Sequence, residues 1–218
     1  EACRDERLAA IRDVLADARC NGGGFAKTPG GDLSRANARE MSLYHTFLAM
    51  LCFELLDEPF PDAASTAERV RARQCSSGAF GDVETVEGTN PTAAALGILS
   101  TLDALDATTA RRARTFLVSM QRADGGFAAT PGAPVSDLMS SFTALAALGD
   151  TGSLEDVRLG DLGRYVKGLA LEPGGFRGSP ADEATDVEYT YYGLGVLALL
   201  AEAAASRRNC RPGDQCRT

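Results

Sequence analysis

Apolar residues along the chain fall into two alternating kinds of run. One kind is amphipathic. In Ala107–Gln121, residues Ala113, Phe116, Leu117 and Met120 recur at i, i+3, i+4 and i+7, one face of a helix. Asp5–Arg19, Ala63–Gln74 and Ser153–Leu169 read as helices of the same kind. The other kind is apolar nearly all round. It comprises Ser42-Leu-Tyr-His-Thr-Phe-Leu-Ala-Met-Leu, Pro91-Thr-Ala-Ala-Ala-Leu-Gly-Ile-Leu, Asp137-Leu-Met-Ser-Ser-Phe-Thr-Ala-Leu and Asp186-Val-Glu-Tyr-Thr-Tyr-Tyr-Gly-Leu. A helix that is apolar on every side belongs in an interior. Strict alternation of the two kinds predicts four helical hairpins, with an outer row of amphipathic helices wrapped around an inner row.

A recurring turn separates the helices of each pair. It reads Gly23-Gly24-Phe25, Gly78-Ala79-Phe80, Gly125-Gly126-Phe127 and Gly174-Gly175-Phe176, with phenylalanines 55, 47 and 49 residues apart. Self-similarity at a near-fixed period is the mark of a repeat architecture. The glycines permit positive φ and a tight reversal, and each phenylalanine is predicted to plug the gap between neighbouring hairpins. Polar loops follow the turns. In the inner helices the hydroxyl residues Thr46, Thr92, Ser141 and Thr190 share one register. Asp137 and Asp186 are then equivalent and are predicted N-caps, and Pro91 suits a first helical turn. The expected fold is all-α: an α/α toroid, or an open α/α solenoid, of four helical hairpin repeats. It is expected to form one domain over residues 1–206, followed by a basic, cysteine-containing tail over 207–218.

Composition narrows the function. With 218 residues, 44% of them hydrophobic, the chain can build one substantial core. Its net charge of −8, without a basic stripe, argues against nucleic acid as a partner. No apolar run reaches the ~18–20 residues of a membrane span, and Tyr191–Leu200 is too short. None of the six cysteines forms a CxxC pair, which argues against a zinc knuckle or a thioredoxin-type site. Cys52 is expected as a small buried hydrophobe, and Cys210 and Cys216 flank a turn-rich segment that would close a small loop if oxidised. The expected location is cytoplasmic.

The segment Gln121-Arg-Ala-Asp-Gly-Gly-Phe127 resembles the repeat of the prenyltransferase and squalene/terpene-cyclase superfamily. Asp186-Val-Glu-Tyr-Thr-Tyr-Tyr-Gly-Leu is similar to the Asp-x-x-His-Thr-x-x-Gly-Leu helix of protein prenyltransferase β subunits. The resemblance spans about residues 4–205. It implies a toroid whose inner helices line an apolar cavity, with an isoprenoid in the cavity and a zinc at its mouth that activates a substrate thiolate. The family's zinc ligands, an Asp, a Cys two residues on and a His in the next repeat, fall on Asp137, Met139 and Tyr189. A thioether and a phenol are poor zinc donors. The basic pair that precedes the ligand Asp falls on Pro131 and Pro134, and the Tyr that follows the ligand Cys falls on Ser140. The cyclase branch carries an Asp-x-Asp-Asp acid motif, which does not occur here; the carboxylate pairs present are Asp182-Glu183 and Asp186-x-Glu188.

A different constellation is available at the rim where the inner helices begin. His45 holds the register of Tyr189, and the loop before it carries Lys27, Arg35 and Arg39. In a curled stack, Asp137, Asp186, Tyr189 and His45 would gather as candidate catalytic groups. Lys27, Arg35, Arg39 and Glu188 would then bind the ligand. Zinc is not expected at the family position, and magnesium remains open as a cofactor. The expected ligand is an isoprenoid, its diphosphate, or another apolar small molecule. Four hairpins are fewer than the five or six of the usual toroid, so a protein partner or a homo-oligomer is a further expectation. The competing reading is a non-catalytic toroid that serves as a binding or scaffold module. A sugar-processing toroid fits less well, because the chain has no Trp and 6% aromatics.

Overall fold

The computed structural model describes residues 2–28, 40–82 and 85–209. Its helices are α1 (Ala2–Ala18), α2 (Leu43–Leu55), α3 (Ala63–Arg71), α4 (Thr89–Thr101), α5 (Ala107–Ser119), α6 (Leu138–Asp150), α7 (Leu159–Gly168) and α8 (Val187–Asn209). They pair as the four expected hairpins. The apolar helices α2, α4, α6 and α8 pack side by side in chain order, and α3, α5 and α7 lie against them as an outer layer. The main core runs between the layers, from Leu43 and Met50 through Ile98, Leu99 and Leu117 to Leu148, Val166 and Val196. A smaller cluster of Leu15, Phe25 and Ala49 joins α1 to α2, with Cys52 at its edge. Cys52 is partly exposed rather than fully buried.

The turn phenylalanines plug the hairpin junctions as expected: Phe25, Phe80 and Phe127 are at most 2% exposed and Phe176 is 8% exposed. The shared hydroxyl register now has a structural reason. The amides of Phe25, Phe80 and Phe127 donate to Thr46 Oγ1, Thr92 Oγ1 and Ser141 Oγ at 2.9, 2.9 and 3.0 Å. Each inner helix thereby satisfies a buried donor of its own turn. In the fourth repeat, Thr190 instead donates to the Asp186 carbonyl at 2.8 Å.

The glutamines that precede two of the turns tie successive repeats together. Gln74 Nε2 donates to the carbonyls of Gly78 and Thr109, and Gln121 Nε2 donates to those of Gly125 and Arg158. Two turn glycines are required by close approach as well as by conformation. Gly78 (φ +93°) would place a Cβ 2.4 Å from the Arg112 carbonyl oxygen, and Gly125 (φ +95°) one 2.5 Å from that of Asp161.

Two local expectations are corrected. The fourth outer helix begins at Leu159 rather than Ser153, because Gly152 takes φ +65° and the Ser153 hydroxyl donates to the Thr151 carbonyl at 3.0 Å. Such side-chain bonds compete with helix formation. The loop after the second turn, expected only as a polar connection, contains an antiparallel pair, β1 (Phe80–Asp82) with β2 (Thr85–Gly88). Reversing the chain from the turn back to the inner helix brings the two limbs alongside each other. Single bridges Phe127↔Asp137 and Arg177↔Thr185 do the same in the third and fourth repeats.

Candidate functional site

The inner faces of α2, α4, α6 and α8 enclose a cleft of about 180 Å³. Its walls include Tyr44 and Phe47 of α2, Ala93 and Gly97 of α4, Phe142 and Ala146 of α6, and Tyr192 of α8. It runs from Asn90 to Ser100 along α4, about 15 Å at 1.5 Å per residue. Polar groups are confined to its ends. Near the helix starts, Thr143 Oγ1 donates to Asn90 Oδ1 at 2.7 Å, and Asn90 Nδ2 lies 3.3 Å from the Met139 sulfur. Asp150, Thr151 and Ser100 mark the other end.

The small residues of the inner helices divide between two tasks. Ala93, Ala94 and Ala147 border the cleft. Three glycines receive aromatic rings, and Gly97 does so while also lining the cleft. A Cβ on Gly97 would lie 2.7 Å from the Phe47 ring, on Gly193 2.5 Å from Phe176, and on Gly195 2.5 Å from Phe142. Phe142, Tyr191 and Tyr192 pack as an aromatic cluster, with centroids 5.5 to 5.6 Å apart. On α2 the exposed Leu48, Leu51 and Leu55 continue the stripe begun by Tyr44 at i+4, i+7 and i+11.

The predicted site residues form two groups at the helix starts. On the side of repeats three and four, Asp137 caps α6 by accepting from the Ser140 amide at 2.7 Å, and Asp186 caps α8 by accepting from the Tyr189 amide at 2.7 Å. Burial pushes the Asp137 carboxyl above its ordinary range, against the lowering effect of its bonds from Ser140. The Tyr189 ring lies over Gly178, and its hydroxyl is pushed up by desolvation and by the fields of Asp182, Asp186, Glu188 and Asp137. Glu188 accepts from the Tyr192 hydroxyl at 2.7 Å.

On the side of the first repeat, Ser42 donates to Asp82 Oδ2 at 2.9 Å and meets His45 Nδ1 at 2.9 Å. The hydroxyl has one proton, so it accepts from His45. Neutral His45 is therefore the Nδ1–H tautomer, with its Nε2 lone pair available. Burial lowers the His45 pKa, Asp82 opposes that shift and Lys27 adds to it. Tyr44 and Tyr192 link the two groups: both line the cleft, Tyr44 packs edge-on to His45 at 5.2 Å, and burial, Glu188 and Tyr44 all raise the Tyr192 hydroxyl. Arg35 and Arg39 lie outside the described residues.

Asp82 has no counterpart in the expected site. It accepts from the amides of Leu43 at 2.9 Å and Tyr44 at 3.2 Å and pairs with Arg73 at 3.2 Å, so a residue of the second repeat caps the inner helix of the first. The equivalent residues Ala129 and Gly178 accept the first amides of α4 and α6, from Thr89 and Leu138 at 2.8 Å, through their backbone carbonyls, so the contact follows the register while its side-chain form is particular to Asp82.

The side chains at the family's metal position do not suit zinc. Asp137 is committed to a helix cap, the Met139 sulfur faces the Asn90 amide, and Tyr189 offers a phenol whose pKa is raised. Among the described residues, no three His, Cys, Asp or Glu side chains form a metal-holding group.

A family model, the prenyltransferase alpha-alpha toroid domain, matches residues 54–212. The chain belongs to this family. Solved toroids share its fold. Candida albicans protein geranylgeranyltransferase-I, complexed with GGPP, superposes with a TM-score of 0.72 at 15% identity over 91% of this chain and 64% of its own. A type II terpene cyclase from Scytonema, bound to merosterolic acid A as product, gives a TM-score of 0.62 at 18% identity over 93% of this chain and 61% of its own. Another form of that cyclase, with geranylgeranyl dihydroxybenzoate as substrate, gives 0.59 at 18% identity, over 94% and 59%. The chain thus spans less than two thirds of the length of these toroids. No curated protein is similar to it in sequence. No helix among the described residues is long and apolar enough to cross a membrane.

Proposed function

We propose that the inner cleft binds the hydrocarbon chain of an isoprenoid, with the polar head at the rim where the inner helices begin. The observation that carries this reading is the cleft itself: apolar along about 15 Å, polar at its two ends, and walled by Tyr44, Phe47, Phe142 and Tyr192. The fold neighbours support it, because one is complexed with GGPP and another holds a geranylgeranyl substrate. At the rim, Lys27, Arg35 and Arg39 are assigned to a diphosphate, and His45 and Glu188 to its orientation. Asp137, Asp186 and Tyr189 are the groups assigned to act on the head in a divergent prenyl transfer or cyclisation. Magnesium would supply the positive charge that an acidic rim lacks when a diphosphate binds.

A second reading, a toroid that binds without catalysing, is favoured by one observation. Asp137 and Asp186 are both occupied as helix caps.

Calorimetric titration with geranylgeranyl diphosphate, with and without zinc or magnesium, tests the proposal. Micromolar binding is expected, abolished by Ala146→Trp, which fills the cleft, and weakened by His45→Ala and by Arg39→Ala. Absence of heat and of thermal shift under every condition would overturn it. If only the rim variants bind normally, the rim assignment is wrong and the cleft assignment stands.

A further inference from the structure

Each hairpin meets the next through one recurring contact, and the turn amides fix its register. Cys20, Cys75, Arg122 and Leu171 hold equivalent positions, since their amides donate to the carbonyls of Gly24, Ala79, Gly126 and Gly175 at 2.8 to 3.1 Å. In that register the first glycine of each turn is a seat for the outer helix of the following hairpin. A Cβ on Gly23 would lie 2.6 Å from Thr66 Oγ1, on Gly78 2.4 Å from the Arg112 carbonyl oxygen, and on Gly125 2.5 Å from that of Asp161. The outer helices reach back with equivalent residues. Thr66, Ala113 and Leu162 are fully buried. Three positions on, Arg69 donates to the carbonyls of Asn21 and Gly23, and Phe116 and Tyr165 are 6% and 7% exposed. The Tyr165 ring lies against the preceding turn, where a Cβ on Gly126 would meet it at 2.6 Å.

Both halves of this contact occur once more with nothing against them. Gly174 is the equivalent seat in the fourth turn, and among the described residues no atom comes within 4 Å of a Cβ built there. At the opposite edge of the stack, Ile11 of α1 holds the position of Thr66, Ala113 and Leu162, and Val14 that of Arg69, Phe116 and Tyr165. These two are 42% and 54% exposed. Among the described residues, every exposed large hydrophobic side chain except Val135 lies on α1, α2 or α8, the helices of the first and fourth hairpins. Repeat stacks are held by nearest-neighbour faces, and a face that ends such a stack is ordinarily polar. Here both outer faces keep the character of interior ones. One part of the contact is missing: Gln74 and Gln121 grip the carbonyls of Thr109 and Arg158 in the next outer helix, and the exposed Ala170 stands in their place.

We propose that the fourth hairpin of one copy receives the first hairpin of a second copy, with Gly174 as the seat for that copy's α1 and with Ile11 and Val14 buried against the fourth turn. The occupant follows from complementarity, because the open seat and the open helix face are the two sides of a contact that this chain already makes three times. The association is heterologous, so it runs on to a closed ring or a filament. Lacking the glutamine clamp, it is held by apolar burial and is weak. It does not rest on what the cleft binds.

Sedimentation velocity of the full chain, from micromolar to millimolar concentration, tests the proposal. The mean mass is expected to rise with concentration above that of one copy. Val14→Glu places a charge in the contact, and Gly174→Ala sets a methyl group against the backbone of the second copy's α1. Each is expected to weaken association at least about tenfold. Ala170→Gln restores the clamp and is expected to tighten it by about two- to tenfold. Where Gly174→Ala lowers the melting temperature of the single copy, Ala170→Trp, beside the seat, takes its place. A mixture of Val14→Glu with Gly174→Ala joins the intact helix face of one variant to the intact seat of the other, and is expected to form dimers and nothing larger. A single-copy mass at every concentration overturns the proposal and leaves the two edges to a different protein. Association that the mixture fails to restore, or that both seat variants leave untouched, overturns it too, since the contact would then join like faces.

Discussion

The hydroxyl register of the inner helices makes a quantitative prediction with an internal control. Thr92 Oγ1 accepts the Phe80 amide at 2.9 Å and donates to the Gly88 carbonyl at 2.7 Å, and both residues at the amide bond are fully buried. Thr92→Val keeps the shape and the β-branch, so helix propensity is nearly unchanged. It leaves the Phe80 N–H without a partner and out of reach of water, which costs about 1–3 kcal/mol. At roughly 2–4 °C per kcal/mol for a chain of this size, a loss near the middle of that range lowers the melting temperature by about 4–8 °C. Thr190→Val is the control. Its hydroxyl bonds the Asp186 carbonyl within its own helix start and does not reach the Phe176 amide, and both Asp186 and its surroundings are open to solvent. Water replaces that bond, and the expected loss is below about 0.5 kcal/mol. Urea unfolding of both variants, compared at equal m-values, decides the matter. Equal losses at the two positions would refute the assignment of this register to the turn amides.

Three further outcomes follow from the geometry. Asp82→Ala should destabilise the fold by about 1–2 kcal/mol in urea, because it removes the cap of α2, and Asp82→Asn should recover part of that loss. In ¹⁵N-detected NMR at neutral pH, His45 should appear as the Nδ1–H tautomer, and Ser42→Ala should redistribute the proton toward Nε2. Gly97→Val should displace the Phe47 ring from its seat and lower isoprenoid affinity in the same calorimetric titration, since a Cβ there already lies 2.7 Å from Phe47.

The repeat was legible because it is a property of spacing. Four turns at near-constant intervals, alternating amphipathic and wholly apolar helices, and acidic caps at Asp137 and Asp186 are each local signals, and the hairpins form where those signals place them. Contacts between repeats were not legible in the same way. The contact that Asp82 makes with the start of α2 spans 38 to 40 residues, and the following repeats make it through the backbone carbonyls of Ala129 and Gly178, so no side-chain type marks it along the sequence. The small residues were ambiguous for a related reason. Ala93 and Gly97 sit one turn apart on α4 and both border the cleft, and only the position of the Phe47 ring shows that the glycine also makes room for packing. The aromatic wall of the cleft was hidden too: Phe47, Phe142 and Tyr192 read as core residues in an all-apolar helix until neighbouring helices turn them toward one space.

Asp137 caps α6 and is also assigned to the proposed site, and its titration bears on both. An N-cap carboxylate is ordinarily held in its charged form by helix amides and the helix dipole. Here burial outweighs the bonds from Ser140 and raises the pKa above the usual 3.8. The folded state therefore holds this proton more tightly than the unfolded chain does. Its contribution to stability is complete below pH 3.8 and is lost as pH rises through the higher folded value. His45 has the opposite sense: its pKa is lowered from 6.5, so its contribution is complete above that pH and is lost as pH falls through the folded value. Asp137→Asn keeps an oxygen to accept the Ser140 amide and removes the buried charge, so at pH 7 it should be at least as stable as the parent. Asp137→Ala removes the acceptor and should cost about 1 kcal/mol. A direct measurement by ¹³C NMR should find the carboxyl titrating above 3.8. If Asn is as damaging as Ala at pH 7, the negative charge itself is what the fold requires. The carboxyl would then titrate as an ordinary cap, against the direction that its burial gives it.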